Sequence, residues 1–224
     1  MKFGYKKALA ALLAAALAFS AAACGNSEQQ GNSQIGESEI RTNNGGKILI
    51  AYFTAAENSG VDAVASASYT VVSGQAVGRI RAVADMIRKN VGGELFSIRT
   101  EEVYPSDGGE LIDFAAQEQN ENARPTLTSH IENPEQYDAV FIGYPNWWAD
   151  LPMAVYSFFY EYDFSGKTIV PFNVHNGSRF SRTIQTIEEL EPDADVIENG
   201  FTVSEQSVAE AADDVAAWLE EIGF

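Results

Sequence analysis

The stretch Lys47-Ile48-Leu49-Ile50-Ala51-Tyr52-Phe53-Thr54 decides the fold. It is apolar from Ile48 to Phe53 without a break, carries β-branched and aromatic side chains, and ends in a polar residue, which reads as a strand entering a loop. A strand with one wet face alternates in polarity. One that is apolar at every position is covered on both faces, as in a parallel sheet flanked by helices. Two further runs share this character, Ala139-Val140-Phe141-Ile142-Gly143 and Thr168-Ile169-Val170-Pro171-Phe172. A weaker strand lies between Glu94 and Ile98, and Val196-Ile197 or Phe201-Thr202-Val203 supplies a last edge strand.

Between these runs the period shifts to that of a helix. Ile80, Val83, Ala84 and Ile87 fall on one face, with Arg81, Asp85 and Arg88 on the other. The terminal segment sets Val208, Ala211, Ala212, Val215, Trp218 and Leu219 inward and Glu210, Asp213, Asp214 and Glu220 outward. Ser204, Glu205 and Ser207 offer N-cap candidates for that helix. Alternating strand and helix predicts a doubly wound α/β domain, a parallel sheet with helices on both faces. Two stretches break the alternation. Ala55 to Val77 is long, rich in small residues and weakly patterned, and Thr100 to Tyr137 holds a helix around Leu111 to Gln119 within polar, acidic loop. Loops of that length in a compact domain are functional or disordered.

The N-terminus reads as a processing signal. Lys2, Lys6 and Lys7 precede an apolar run from Ala8 to Phe19, which is too short to span a bilayer comfortably, and Ala21, Ala22 and Ala23 follow. The single cysteine, Cys24, stands directly after them. This arrangement resembles a bacterial lipobox, which implies a signal peptide over residues 1–23 and a lipid-modified Cys24. The alternative is an ordinary secretory peptide cut before Cys24, leaving a free thiol. Residues 24–46 are rich in Gly, Ser, Asn, Gln and Glu and are expected to form a tether with a reach of roughly 25 Å. The remainder, 47–224, suits one α/β domain. These readings predict an extracytoplasmic protein held at the cell membrane by lipid.

Charge narrows the partners. The formal net charge of −18 becomes −21 without the three leader lysines, which disfavours nucleic acid and anionic membrane surfaces, so lipid rather than charge makes the membrane contact. With no other cysteine there is no disulfide framework, thiolate zinc site or iron–sulfur cluster, and redox chemistry requires an organic cofactor.

In an open parallel sheet, ligands bind beyond the carboxyl ends of the strands. The loops to inspect therefore begin at Thr54, Tyr144 and Asn173. The second reads Tyr144-Pro145-Asn146-Trp147-Trp148-Ala149-Asp150-Leu151-Pro152. Adjacent tryptophans in a Pro-bounded loop cannot both enter one core. At least one lies at the surface or against a flat ligand, or else merely covers the sheet edge.

Ile48 to Thr54, Phe141-Ile142-Gly143-Tyr144-Pro145-Asn146-Trp147-Trp148 and Tyr162-Asp163-Phe164-Ser165-Gly166-Lys167 together resemble the flavodoxin-like family. The third loop, Asn173-Val174-His175-Asn176-Gly177-Ser178, is also similar to the family's. The resemblance implies a five-stranded parallel sheet of order 2-1-3-4-5 with FMN at its carboxyl edge. It places Pro145, Asn146, Trp147 and Trp148 along the flavin's side and dimethylbenzene edge, and Asn173, His175, Gly177 and Ser178 at its pyrimidine end. It implies an electron carrier or oxidoreductase that serves a redox partner protein or a small acceptor such as a quinone.

The first loop departs from the family pattern of alternating hydroxyl residues. Thr54 is followed by Ala55, Ala56, Glu57 and Asn58, then by an insertion of roughly twenty residues, and the helix resumes at Gly78-Arg79-Ile80. Phosphate binding then falls to Thr54, Ala55, Ala56, Gly78, Arg79 and Ile80, is rebuilt from inserted residues such as Ser73 and Gly74, or is lost. Arg79 either bonds the phosphate or is a solvated first-turn side chain, and Glu57 is expected to point outward. His175 either contacts the ring or plays no chemical part. If FMN is lost, the chain is a lipid-anchored binding module on the same scaffold.

Overall fold

The computed structural model describes residues 46–58 and 69–224, all within the unit Glu37–Phe224. The leader, Cys24 and nearly all of the tether lie outside the described residues.

Strand β1 (Ile48–Tyr52) is buried at every position, and β5 (Ala139–Pro145) is too. β1 pairs in parallel with β4 (Glu94–Ser97) on one side and β5 on the other, and β5 pairs in parallel with β6 (Thr168–His175). The far edge of β6 carries two short parallel segments in succession. β7 (Asp195–Val196) pairs with Thr168 and Ile169, and β8 (Phe201–Ser204) with Phe172 to His175. Both candidate edge segments are therefore used and together fill one edge position, which gives the predicted 2-1-3-4-5 order. The chain bends between them at Gly200, where a Cβ would lie 2.5 Å from the Pro171 carbonyl oxygen and 2.8 Å from the Phe180 ring.

Alternate strand residues divide between two cores, as a sheet covered on both faces requires. Leu49, Ala51 and Phe53 of the first strand and its exit, with Val140, Ile142 and Tyr144, pack with residues of α3 (Gly108–Glu121), α4 (Met153–Glu161) and α5 (Thr183–Leu190). Ile48, Ile50, Tyr52, Phe141, Phe172 and Val174 pack with residues of α2 (Arg79–Val91) and α6 (Ala212–Ile222). Each large side chain fully withdrawn from water contributes roughly 1.5–3 kcal/mol. The predicted faces of α2 hold: Ile80, Val83, Ala84 and Ile87 are buried, and Arg81 pairs outward with Asp85 at 3.0 Å.

Two local expectations differ. The last helix starts later than the Ser204–Ser207 caps imply. A 3₁₀ turn at Val208–Glu210 intervenes, α6 begins after Ala211 without a side-chain cap, and Ala212 is exposed. The described parts of this stretch, residues 55–58 and 69–77, carry regular structure that its weak pattern does not predict. A single turn, α1 (Ala55–Asn58), leaves β1, and an antiparallel hairpin of β2 (Tyr69–Val72) and β3 (Gln75–Gly78) leads into α2. Ser73 and Gly74, at φ 53° and 81°, form the exposed two-residue turn of that hairpin. They shape its tip.

Candidate functional site

At the end of β1 the Phe53 N–H donates to the Gly143 carbonyl at 2.9 Å, and Thr54 is buried at the sheet edge. Asn58 secures the loop. Its Nδ2 donates to the carbonyls of Thr54 (2.9 Å) and Ile98 (3.2 Å), and its Oδ1 accepts from the Thr100 N–H at 2.9 Å. After the insertion the chain returns to the same place. Gly78, the N-cap of α2, lies so close to Thr54 that a Cβ there would stand 2.7 Å from the threonine Oγ1. The start of α2 and the end of β1 thus meet across the insertion, with Ala55 next to Thr54 and Arg79 and Ile80 next to Gly78.

The first turn of α2 has no acidic residue and no side-chain cap, so its leading N–H groups face this junction without a carboxylate or hydroxyl from their own turn. Ile80 is buried in the core and offers the junction only its backbone. The Arg79 guanidinium neither reaches water freely nor points only at the helix end. Its Nη1 pairs with Glu205 Oε2 at 3.5 Å, and the two side chains keep only 14% and 9% of their accessible surface.

Glu57 does not point outward. It accepts from the Ser97 hydroxyl at 2.6 Å and from Tyr52 OH at 3.1 Å, and it pairs with Arg81 at 3.5 Å and Arg99 at 3.7 Å. Two guanidinium groups therefore offset the charge that would otherwise oppose an anion beside Thr54. Burial, followed by the Glu57 charge, pushes the Tyr52 phenol up to about 12, so Tyr52 stays a neutral donor in this cluster.

In the second loop Trp147 N–H donates to the Asp150 carbonyl (3.1 Å) and Asp150 N–H to the Trp147 carbonyl (3.0 Å), which closes a tight turn. Trp148 and Ala149 occupy it at φ 51° and 64°, the left-handed region that residues with a Cβ enter at a cost. The turn separates the two indoles. Trp147 is buried, meeting Phe53 edge-on at 5.5 Å between ring centroids and Tyr104 at 5.8 Å. Trp148 is 58% exposed, and its Nε1 donates to the Ile112 carbonyl at 3.1 Å, which fixes a wet indole face at the carboxyl edge. Behind Trp147, Tyr104 OH donates to Glu118, whose carboxyl is pushed up to about 7 by burial.

Asp150 clamps the turn. It accepts from Thr186 Oγ1 (2.8 Å), the Leu151 N–H (2.9 Å) and Tyr156 OH (3.1 Å), and pairs with Arg182 at 3.3 Å. Pro145 is buried in β5, and Asn146 leaves the strand with its N–H donating to the Val174 carbonyl at 2.9 Å.

The third loop is drawn onto the second through one carbonyl. Arg179, itself at φ 52°, accepts from Asn146 Nδ2 at 2.5 Å and from Asn173 Nδ2 at 2.9 Å. Asn173 is fully buried and its Oδ1 takes the Thr202 hydroxyl at 2.6 Å, so both ends of this amide are used inside the protein. Asn173 thereby shapes the loop expected at the pyrimidine end. Asn146 differs: its Oδ1 is buried and accepts no hydrogen bond from the described residues. Gly177 (φ 93°) and Ser178 are exposed at the loop's tip. The Gly177 N–H donates to His175 Nδ1 at 2.9 Å, which leaves the proton of the neutral ring on Nε2. Burial, then the nearby Arg179 charge, lowers the His175 pKa and favours that neutral form.

The edge therefore gathers an uncapped helix start beside a buried threonine, an exposed indole, a buried amide oxygen that accepts no bond from the described residues, and a glycine-tipped loop. Such an edge defines a ligand-binding protein of the doubly wound parallel class. A family model described as Flavodoxin matches residues 67–222, and the chain belongs to the flavodoxin family. A solved structure from Bacteroides eggerthii described as a flavoprotein is similar at 29% identity, with a TM-score of 0.56 over 76% of this chain and 98% of that one. Another so described, from Bacteroides uniformis, is 23% identical, with a TM-score of 0.60 over 78% and 98%. A flavoprotein from Lactobacillus acidophilus solved in complex with FMN is 17% identical, with a TM-score of 0.52 over 75% and 99%. The last two share the fold. No curated protein matches the chain significantly.

Proposed function

We propose that this chain binds FMN at the carboxyl edge of its sheet and passes electrons through it, held outside the cytoplasmic membrane by lipid on Cys24. The observation that carries the reading is the convergence of three distant loops into one edge whose open groups match the two ends of this cofactor. The phosphate end falls to the backbone of Ala55, Ala56, Gly78, Arg79 and Ile80 with the Thr54 hydroxyl, at a helix start suited to an anion. For the ring, Trp148 offers a stacking face, and Asn146, His175, Gly177 and Ser178 polar contacts. Trp147 supports this wall from behind through Phe53 and Tyr104.

Bound FMN supplies reversible electron storage, and the chain supplies position and field. Its net charge of −18 opposes adding negative charge at the ring, so the second electron enters at a lower potential than in free FMN. Titration against redox dyes tests this, and both steps lying well above free FMN contradicts it. The electrons pass to a partner protein or to a small acceptor such as a quinone.

The visible spectrum of the purified protein, before and after adding FMN, tests the cofactor directly. Flavin bands with mutual quenching of tryptophan and flavin fluorescence are expected, and no quenching at micromolar FMN sinks the redox reading. That second outcome favours a binding module without cofactor, a reading motivated by the alanines at 55 and 56 where hydroxyl ligands would serve phosphate. Fractionation of cells tests the anchor: Cys24→Ser should move the protein from the membrane to the soluble fraction.

A further inference from the structure

The sequence holds three Asn-Gly pairs: Asn44-Gly45, which lies outside the described residues, Asn176-Gly177 and Asn199-Gly200. A glycine after an asparagine puts no Cβ beside the backbone nitrogen, so that nitrogen can swing onto the side-chain carbonyl carbon of its neighbour. The fold treats the two described pairs in opposite ways. At Asn199 the amide donates to Glu221 Oε1 at 3.1 Å, and the backbone carbonyl accepts from Trp218 Nε1 at 2.7 Å. Gly200 is packed so closely that a Cβ would stand 2.5 Å from the Pro171 carbonyl oxygen. That pair is held against the rotation that would bring nitrogen and carbon together. At Asn176 the side chain is exposed and forms no hydrogen bond among the described residues, and nothing lies within 4 Å of a Cβ built on Gly177. The attacking group there is also met by a base. The Gly177 N–H donates to His175 Nδ1 at 2.9 Å, the nitrogen at which a neutral imidazole takes up a proton.

We propose that Asn176 is a site of spontaneous deamidation with His175 as its base, and, resting on the FMN reading, that the carboxylate so formed lowers the potential of the second electron. His175 Nδ1 takes the Gly177 amide proton, the nitrogen attacks Asn176 Cγ, and the new N–Cγ bond closes a succinimide ring. The Cγ–Nδ2 bond breaks, and ammonia leaves with the proton that the imidazolium returns. Water then opens the ring at either carbonyl and gives aspartate or isoaspartate at 176, with nothing oxidised or reduced. Either product adds a negative charge to the third loop of the edge, where it opposes the arrival of further negative charge at the ring.

The test is peptide mapping by mass spectrometry of the full chain aged in neutral buffer, with aspartate and isoaspartate products separated. Asn176 should convert well ahead of Asn199. His175→Gln, whose amide oxygen accepts the same hydrogen bond but is no base, should slow conversion of Asn176 about tenfold or more and leave Asn199 unchanged. Loss of fold in that variant would instead release Asn199 and speed it. The unaltered chain aged in urea gives a second reading that needs no variant, since unfolding should bring the two rates together. Asn176 converting no faster than Asn199 in the folded chain, an unchanged rate in folded His175→Gln, or a difference between the two sites that persists in urea overturns the deamidation site. The consequence for the flavin is read from Asn176→Asp in a redox titration with FMN bound. A lower potential for the second electron than in the unaltered chain upholds it, and an equal or higher one overturns it. If the chain takes up no flavin, the FMN reading fails, and the peptide map still decides the modification by itself.

Discussion

Ala149 is the residue at which the site pays most visibly for its shape. At φ 64° its Cβ crowds the backbone, a strain of roughly 1–2 kcal/mol that glycine does not feel, partly offset by glycine's greater freedom when unfolded. Ala149→Gly should therefore stabilise the protein by about 0.5–1 kcal/mol in urea unfolding. A loss of stability would show that the turn's conformation is relaxed. Gly143 predicts the reverse. A Cβ there would stand 2.2 Å from the Phe172 ring and 2.9 Å from Ile80, both buried, so Gly143→Ala should cost about 1–3 kcal/mol by the same measurement. Sequence alone made Trp147 and Trp148 equivalent. What separates them is the pair of left-handed residues in the turn, and neither Trp nor Ala announces such a conformation as Gly or Asn does. Asn173 and Asn146 were equally indistinguishable as amides, because the carbonyl they share, that of Arg179, lies in a loop whose path is set by tertiary contacts.

At the scale of elements, the legible parts were those with strong periodicity. β1, β5, β6 and α2 follow from runs of apolar residues that need no partner to be recognised, whereas β2 (Tyr69–Val72) and β3 (Gln75–Gly78) are only four residues each, too short to stand out within a weakly patterned stretch, and pack on α2 and the turn after β8. The junction of Thr54 with Gly78 was readable because a helix pattern resumes at Ile80. Glu205 was not, since its role depends on a pairing 126 residues away in sequence. The second loop depends on a comparable long-range clamp, the Asp150 carboxylate, which joins the Trp147–Asp150 turn to α4 and α5 through Tyr156, Thr186 and Arg182. Asp150→Ala leaves the buried Thr186 hydroxyl without that acceptor, so stability should fall by about 1–3 kcal/mol. With the turn released, Trp148 should also tumble faster. Time-resolved tryptophan anisotropy in the variant checks this, and an unchanged fast component would show that the turn holds itself.

For the molecule as a whole, the two raised carboxyls set the direction of its pH response. Glu118 beside Tyr104, and Glu191, which accepts the Phe164 N–H at 3.0 Å, are both pushed up to about 7, chiefly by burial, from 4.5. Between pH 4.5 and about 7 the native protein therefore holds protons that the unfolded chain releases, and stability falls as pH rises through that window. Each carboxylate keeps some contact with solvent, so the pair together accounts for roughly 1–2 kcal/mol between pH 5.5 and 8 after allowance for screening. Accumulating negative charge on a chain already at −18 acts in the same direction. His175 opposes them, because its lowered pKa makes the unfolded chain the better proton acceptor near its ordinary range, but it is one group against two. Glu161 and Asp163, both lowered, act below about pH 4.5, outside the window. The melting temperature should thus decrease from pH 5.5 to 8. Glu118→Gln should flatten that slope, since the amide is neutral throughout and still accepts the Tyr104 hydroxyl, and Glu118→Gln with Glu191→Gln should flatten it further. A melting temperature that climbs over this range, or a slope unaltered in the double variant, would mean that both carboxyls are already ionised at pH 5.5 in the native state.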